Sequence, residues 1–166
     1  MPLEAMVGFG LLTASLSWAI SLYPAFSRHR SLAHEISLVR EGETETEIGV
    51  KQMDALAAEL MLSKLTSQLV AVQSDLVHFP ISYYFRSGNE RFELSAVMPC
   101  LLRLAGEGDD EDCSPGIRLR ANMLRNAIDD FSATVGSRFL GLRPASTEKI
   151  LTAYAHDNLH APPELT

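Results

Sequence analysis

Cysteine is nearly absent: Cys100 and Cys113 are the only two in 166 residues. They lack Cys-x-x-Cys spacing, which excludes a zinc knuckle and a dithiol redox motif. The chain also has no Gly-rich phosphate loop, no serine elbow and no cysteine with a plausible base. Acid pairs such as Asp129-Asp130 occupy adjacent positions, which face different ways on a helix. No internal repeat is visible. Nothing in the sequence argues for an enzyme, and none of it calls for a cofactor. Basic residues are outnumbered, 14 to 21, for a formal net charge of −7. An acidic chain is a poor partner for nucleic acid, because neutralising phosphates needs the opposite sign. Most telling is where charge is missing, since no Lys or Arg precedes Arg28.

The charge-poor region is Leu3 to Tyr23, LEAMVGFGLLTASLSWAISLY, whose one charged residue is Glu4. At about 1.5 Å per residue, a helix of this length matches the hydrocarbon thickness of a bilayer. Trp18 and Tyr23 lie toward its far end, where amphipathic rings favour the membrane–water boundary. Pro24 follows, then Arg28, His29 and Arg30. We read one transmembrane helix over 1–26, with Trp18, Tyr23, Arg28 and Arg30 at the membrane interface. The excess of Lys and Arg after the segment sets the N-terminus outside and the C-terminus in the cytoplasm. A cleaved signal peptide would carry its positive charge before the apolar core, not after it. A buried core helix would show a polar face, and here only Thr13, Ser15, Ser17 and Ser21 interrupt, hydroxyls that can bond back to their own helix. Gly8, Gly10 and Ala14 or Ser15 place small side chains about one turn apart, as close helix packing in lipid requires. Gly8-Phe9-Gly10 is no selectivity filter: no threonine precedes it, and Leu11-Leu12 follows.

All 14 basic and 20 of the 21 acidic residues follow Tyr23, so that part carries 14 − 20 = −6. It is long enough for one domain of about 130 residues. Only the Arg28–Arg30 patch could meet anionic lipid locally. The stretch 27–48 predicts a helical extension and linker, with Leu32, Ile36 and Val39 at helical spacing, a kink at Pro24, and a solvated break at Glu41–Gly49. Residues 49–161 predict a helical domain. Met53, Leu56, Leu60, Leu62, Leu65, Leu69, Val72 and Leu76 form an apolar stripe, either the core of one monomer or an oligomer seam. Pro80 ends that helix. PISYYF predicts a short helix or turn packing Tyr83, Tyr84 and Phe85 inward, RSGNER a turn, and Phe92–Ala105 a helix bent at Pro99. Gly106–Gly116 predicts a loop. Its Asp109–Asp112 run lacks the alternating acids and closing Glu of a calcium loop. A helix from Ile117 runs to near Gly141, and a last one starts at Ser146. His156 and His160 stand i, i+4 but lack a third ligand, so no metal site is expected. Residues 162–166 read as a frayed tail. The expected fold class is all-α: one N-terminal transmembrane helix followed by a cytoplasmic helical bundle.

Two segments, LEAMVGFGLLTASLSWAISLYP and SRHRSLAHEISLVRE, resemble the pore-lining inner helix and its cytoplasmic extension in bacterial two-transmembrane-helix potassium channels. LVAVQSDLVHFPISYYF, AVMPCLLRLA and LRNAIDDF are similar to the helical C-terminal domain of one bacterial subgroup. The family's first membrane helix, pore helix and filter loop would all lie before Met1. The resemblance therefore implies the gate-and-tail part of a channel subunit, from a truncated chain, a split gene or a misplaced start. It would be tetrameric in a bacterial inner membrane, and potassium would be its ion only in a full-length channel. It further implies Gly8 or Gly10 as hinge and Thr13 and Ser17 as pore-lining. Two other classes stand beside it: a single-pass membrane protein with a helical interaction or sensor domain, and a soluble all-α protein whose first helix is buried.

Overall fold

A computed structural model describes residues 2–86, 88–142 and 145–159, with side chains from residue 6 onward except at 90 and 159. It is all-helical, and the described residues contain no strand. Five α-helices follow in order: α1 Pro2–Thr46, α2 Ala55–His78, α3 Leu94–Gly108, α4 Pro115–Val135 and α5 Thr147–Leu159. Tight turns of 3₁₀ helix at Pro80–Tyr84 and Glu90–Phe92 join α2 to α3, and one π turn, Gly136–Leu140, extends α4.

Local chemistry sets most of these bounds. The Asp54 carboxylate accepts from the backbone N–H of Leu56 and Ala57 at 3.0 and 3.2 Å and so caps α2,. Ser114 accepts from Ile117 N–H at 3.3 Å, and Pro115 takes the first helical position, where its missing donor costs nothing,. Gly141, at φ +64°, closes the π turn in the left-handed conformation that suits glycine,.

The second half of α1 belongs to the bundle: Ala25, His29, Leu32, Ala33, Ile36 and Ser37 are all buried. α2 and α4 form the most extensive helix pair, with α3 against α4 and α5 closing over both. Leu62, Leu65, Leu69, Val72 and Leu76 of α2 meet Leu101, Leu104, Leu124, Ile128 and Phe131 in one core. Each such side chain contributes about 1.5–3 kcal/mol relative to exposure. At Gly108 a Cβ would stand 2.8 Å from Ala121 Cβ, so the α3–α4 approach there requires glycine.

Several boundaries differ from the sequence expectation. The solvated break at 41–49 is helical to Thr46. Glu41 pairs with Arg91 and Glu43 with Arg103, and the Thr44 and Thr46 hydroxyls donate to Arg40 and Gly42 carbonyls. The chain turns instead at Glu47, at φ +58°. Leu56 and Leu60, expected in the core stripe, are exposed, as is Tyr84, whereas Tyr83 is buried. The Gly106–Gly116 loop is shorter than expected, because α3 runs to Gly108 and α4 starts at Pro115. The 162–166 tail and His160 lie outside the described residues.

Candidate membrane interface

From Met6 to Ser21 every side chain of α1 is exposed, and most are apolar: Met6, Val7, Phe9, Leu11, Leu12, Leu16, Trp18 and Ile20. An exposed apolar surface on this scale marks an interaction site. The helix satisfies its own backbone, as hydrocarbon demands. It also satisfies hydroxyls: Thr13 donates to Phe9 O at 2.9 Å, Ser15 to Leu11 O at 2.8 Å and Ser21 to Trp18 O at 2.6 Å. Thr13 is therefore engaged within its helix. Thr13, Ser17, Gly8 and Gly10 lie along this exposed segment, and a Cβ at either glycine would meet nothing within 4 Å. Both α1 and α2 are long and apolar enough to cross a membrane. They differ in burial. The apolar stretch of α1 is wholly exposed, while α2 gives Leu62, Leu65, Leu69 and Leu76 to the core.

Immediately beyond Tyr23 the helix enters the bundle, and the expected interfacial residues divide. Trp18 and Tyr23 are exposed. Arg28 turns inward: its Nε and Nη2 donate to both oxygens of Asp75 on α2, at 2.7 and 2.6 Å. Asp75 is buried, and the hydrogen bonds to it raise the Arg28 pKa, so the guanidinium stays charged. Next to this pair His29 is buried, its Nε2 without a partner, with its ring 6.2 Å from Phe85. Desolvation pushes the His29 pKa down to about 4. The Asp75 charge opposes that shift, and the Arg28 charge adds to it,. Phe85 in turn meets Phe26 edge-on at 5.4 Å.

Arg30 points elsewhere. Its guanidinium lies over Phe26 at 5.5 Å and Phe92 at 4.9 Å, and His34 sits 4.9 Å from the Phe92 ring. Tyr23, Phe26, Ser27, Arg30, Ser31, His34 and Phe92 surround an open cavity of about 280 Å³.

At the same end of the bundle, Tyr83 stacks on Phe139 at 4.3 Å and donates to Asp157 at 2.6 Å, and Arg86 donates to Asp157 O at 3.2 Å. These contacts tie the 80–84 turn to α5. Burial raises the pKa of Tyr83 and Tyr154, keeping both phenols protonated. Cys100 is buried and Cys113 half-buried, both as free thiols. Among the described residues no group of three His, Cys, Asp or Glu is placed to hold a metal ion. The acidic loop is bound locally, with Asp110 to Lys51 at 2.5 Å and Asp109 to Asn122 at 2.6 Å.

Sequence reasoning missed Asp75, His29 and Phe92. A signal for Asp75 was present: it is a charge set inside the Val72–Leu76 apolar face, which a helix buries only with a partner. Phe92 gave no signal, because its role depends on a turn more than forty residues beyond the end of α1. Compared with family models, with curated proteins and with solved structures, the chain matches none.

Proposed function

We propose that this chain is a single-pass membrane protein whose α1 crosses the bilayer once and whose helical bundle serves as an interaction or sensor domain on the cytoplasmic face of a bacterial inner membrane. One observation carries the reading. A single unbroken helix is apolar and exposed over 6–21, yet supplies buried core residues from Ala25 onward. The bundle is thus attached to its anchor by continuous helix, with Pro24 at the junction, and Arg28–Asp75 ties the helix to α2 just beyond it. A partner bound to the bundle would act on the anchor as on one lever. Alkaline carbonate washing of expressing membranes tests the span: the chain stays in the pellet, and its release into the supernatant would overturn the reading.

The resemblance to potassium-channel inner helices makes a stronger demand on the same topology. Four copies would pack about one axis, with Thr13 and Ser17 toward it and Gly8 or Gly10 as hinge, and potassium would pass only in a longer chain bearing a filter. Supporting it, Gly8, Gly10 and their neighbours have no packing partner among the described residues, which leaves lipid or another subunit to cover them,. Chemical crosslinking in native membranes gives tetramers on this reading, and a clean monomer contradicts it.

A further inference from the structure

From the arrangement around Arg30 we infer that the cavity between α1 and Phe92 binds the phosphate of an anionic phospholipid headgroup. The inference rests on the membrane-anchor reading.

Tyr23, Ser27, Arg30, Ser31 and His34 recur at helical spacing, so they share one face of α1. Among the described residues, Ser27, Arg30, Ser31 and His34 make no hydrogen bond or ion pair to any other side chain. Arg28, Arg91, Arg103, Lys51 and Lys64 are paired with carboxylates, whereas Arg30 has aromatic neighbours in place of an acid. Arg30 is held by two aromatic faces, Phe26 at 5.5 Å and Phe92 at 4.9 Å, which orient a guanidinium without using its donors,. Its forked N–H groups remain open to a phosphodiester, which they match in geometry. The Ser27 and Ser31 hydroxyls and the His34 ring add further donors on the same side.

Position selects the ligand. Arg30 lies seven residues beyond Tyr23, about 10 Å along the helix. Headgroups occupy roughly 5–8 Å outside the hydrocarbon. Helical side chains lean toward the helix N-terminus, here toward the membrane, and the contact with Phe26 one turn back shows Arg30 doing so,. The exposed Tyr23 ring continues the wall toward the acyl region. A volume of about 280 Å³ is at the small end for ligand sites, which begin near ~300 Å³. That suits one phosphate with part of its glycerol. The bundle's net negative charge repels anions elsewhere, so the site is local.

The test is native mass spectrometry of the full chain in detergent with added phosphatidylglycerol or phosphatidylcholine. Arg30→Gln should weaken phosphatidylglycerol binding about fivefold, the effect of one interfacial cation. Arg30→Lys should retain most of it, and Arg118→Gln, an exposed arginine at the start of α4 and the opposite end of the bundle, should change nothing. Phosphatidylcholine should bind more weakly to the wild type. Equal phosphatidylglycerol binding by wild type and Arg30→Gln overturns the assignment. So does full competition by millimolar inorganic phosphate, which would make the cavity a site for free phosphate. Circular dichroism melting confirms that each variant is folded. A chain extracted by carbonate refutes the anchor whatever lipid it binds, whereas a retained chain with unchanged binding refutes only the cavity.

Discussion

The Arg28–Asp75 pair joins α1 to α2, and its two halves should fail unequally. The two hydrogen bonds are 2.7 and 2.6 Å, but the Asp75 side chain keeps only 8% of its exposure while Arg28 keeps 47%. Arg28→Met strands a buried carboxylate beside the apolar junction. Removing one partner of a buried pair costs about 3–5 kcal/mol, and the half-exposed geometry places this case near 3. Asp75→Asn instead frees a guanidinium that turns into water, at a cost of about 1.5 kcal/mol for the lost charged hydrogen bonds. The double variant Arg28→Met/Asp75→Leu removes both charges and should lie within about 1 kcal/mol of wild type. Thermal unfolding of the full chain in mild detergent, followed by circular dichroism, reads this out. At about 2–4 °C per kcal/mol, Arg28→Met should melt about 6–12 °C low and Asp75→Asn about 3–6 °C low. Equal losses, or a double variant worse than Arg28→Met, would refute the assignment of a buried, partner-dependent Asp75.

His29 is buried, with its pKa lowered from 6.5 to about 4, so between those values the unfolded chain binds a proton that the folded chain refuses. Stability is full above pH 6.5 and falls as pH drops toward 4, with about 2 kcal/mol lost between pH 7.5 and 5. His29→Met should remove that share of the slope in pH-dependent melting, and an unchanged slope would place the histidine in water. Gly108→Ala should cost about 1–3 kcal/mol, because the new methyl meets Ala121 Cβ at 2.8 Å,. Gly116→Ala should be neutral or stabilising by about 0.5 kcal/mol, since its near neighbours are the mobile carboxylate atoms of Glu59. Chemical denaturation of the two variants side by side distinguishes these outcomes. Leu65→Ala, at a fully buried site, should cost about 2–5 kcal/mol in the same assay,.

The sequence announces helices wherever the signal is local. Pro80 at the end of α2 acts within a few residues and marks an observed boundary, whereas the Asp54 cap and the Ser114-Pro115 start of α4, equally local, go unread, the latter inside the expected loop. The sequence misleads where support comes from afar. EGETE looks solvated, yet Glu41 and Glu43 hold α1 in helix through Arg91 and Arg103, fifty and sixty residues on. Leu56 and Leu60 match the stripe in spacing but start α2 before its core-facing run begins at Leu62, apart from Ala58. At the interface, composition marks Arg28 and Arg30 as equivalent. Only the fold separates them, giving Arg28 a buried carboxylate and Arg30 two rings. The apolar 3–23 stretch is legible because hydrophobic length needs no tertiary context.

Trp18 is the sole tryptophan of the chain, so its fluorescence reports on the span without any substitution. The full chain would be reconstituted in vesicles containing phospholipids brominated at a series of acyl depths. The account predicts blue-shifted emission, strong quenching by bromines near the interfacial end of the chains, and protection from aqueous iodide. Red-shifted emission, quenched by iodide and indifferent to brominated lipid, would place Trp18 in water and contradict the membrane-spanning α1.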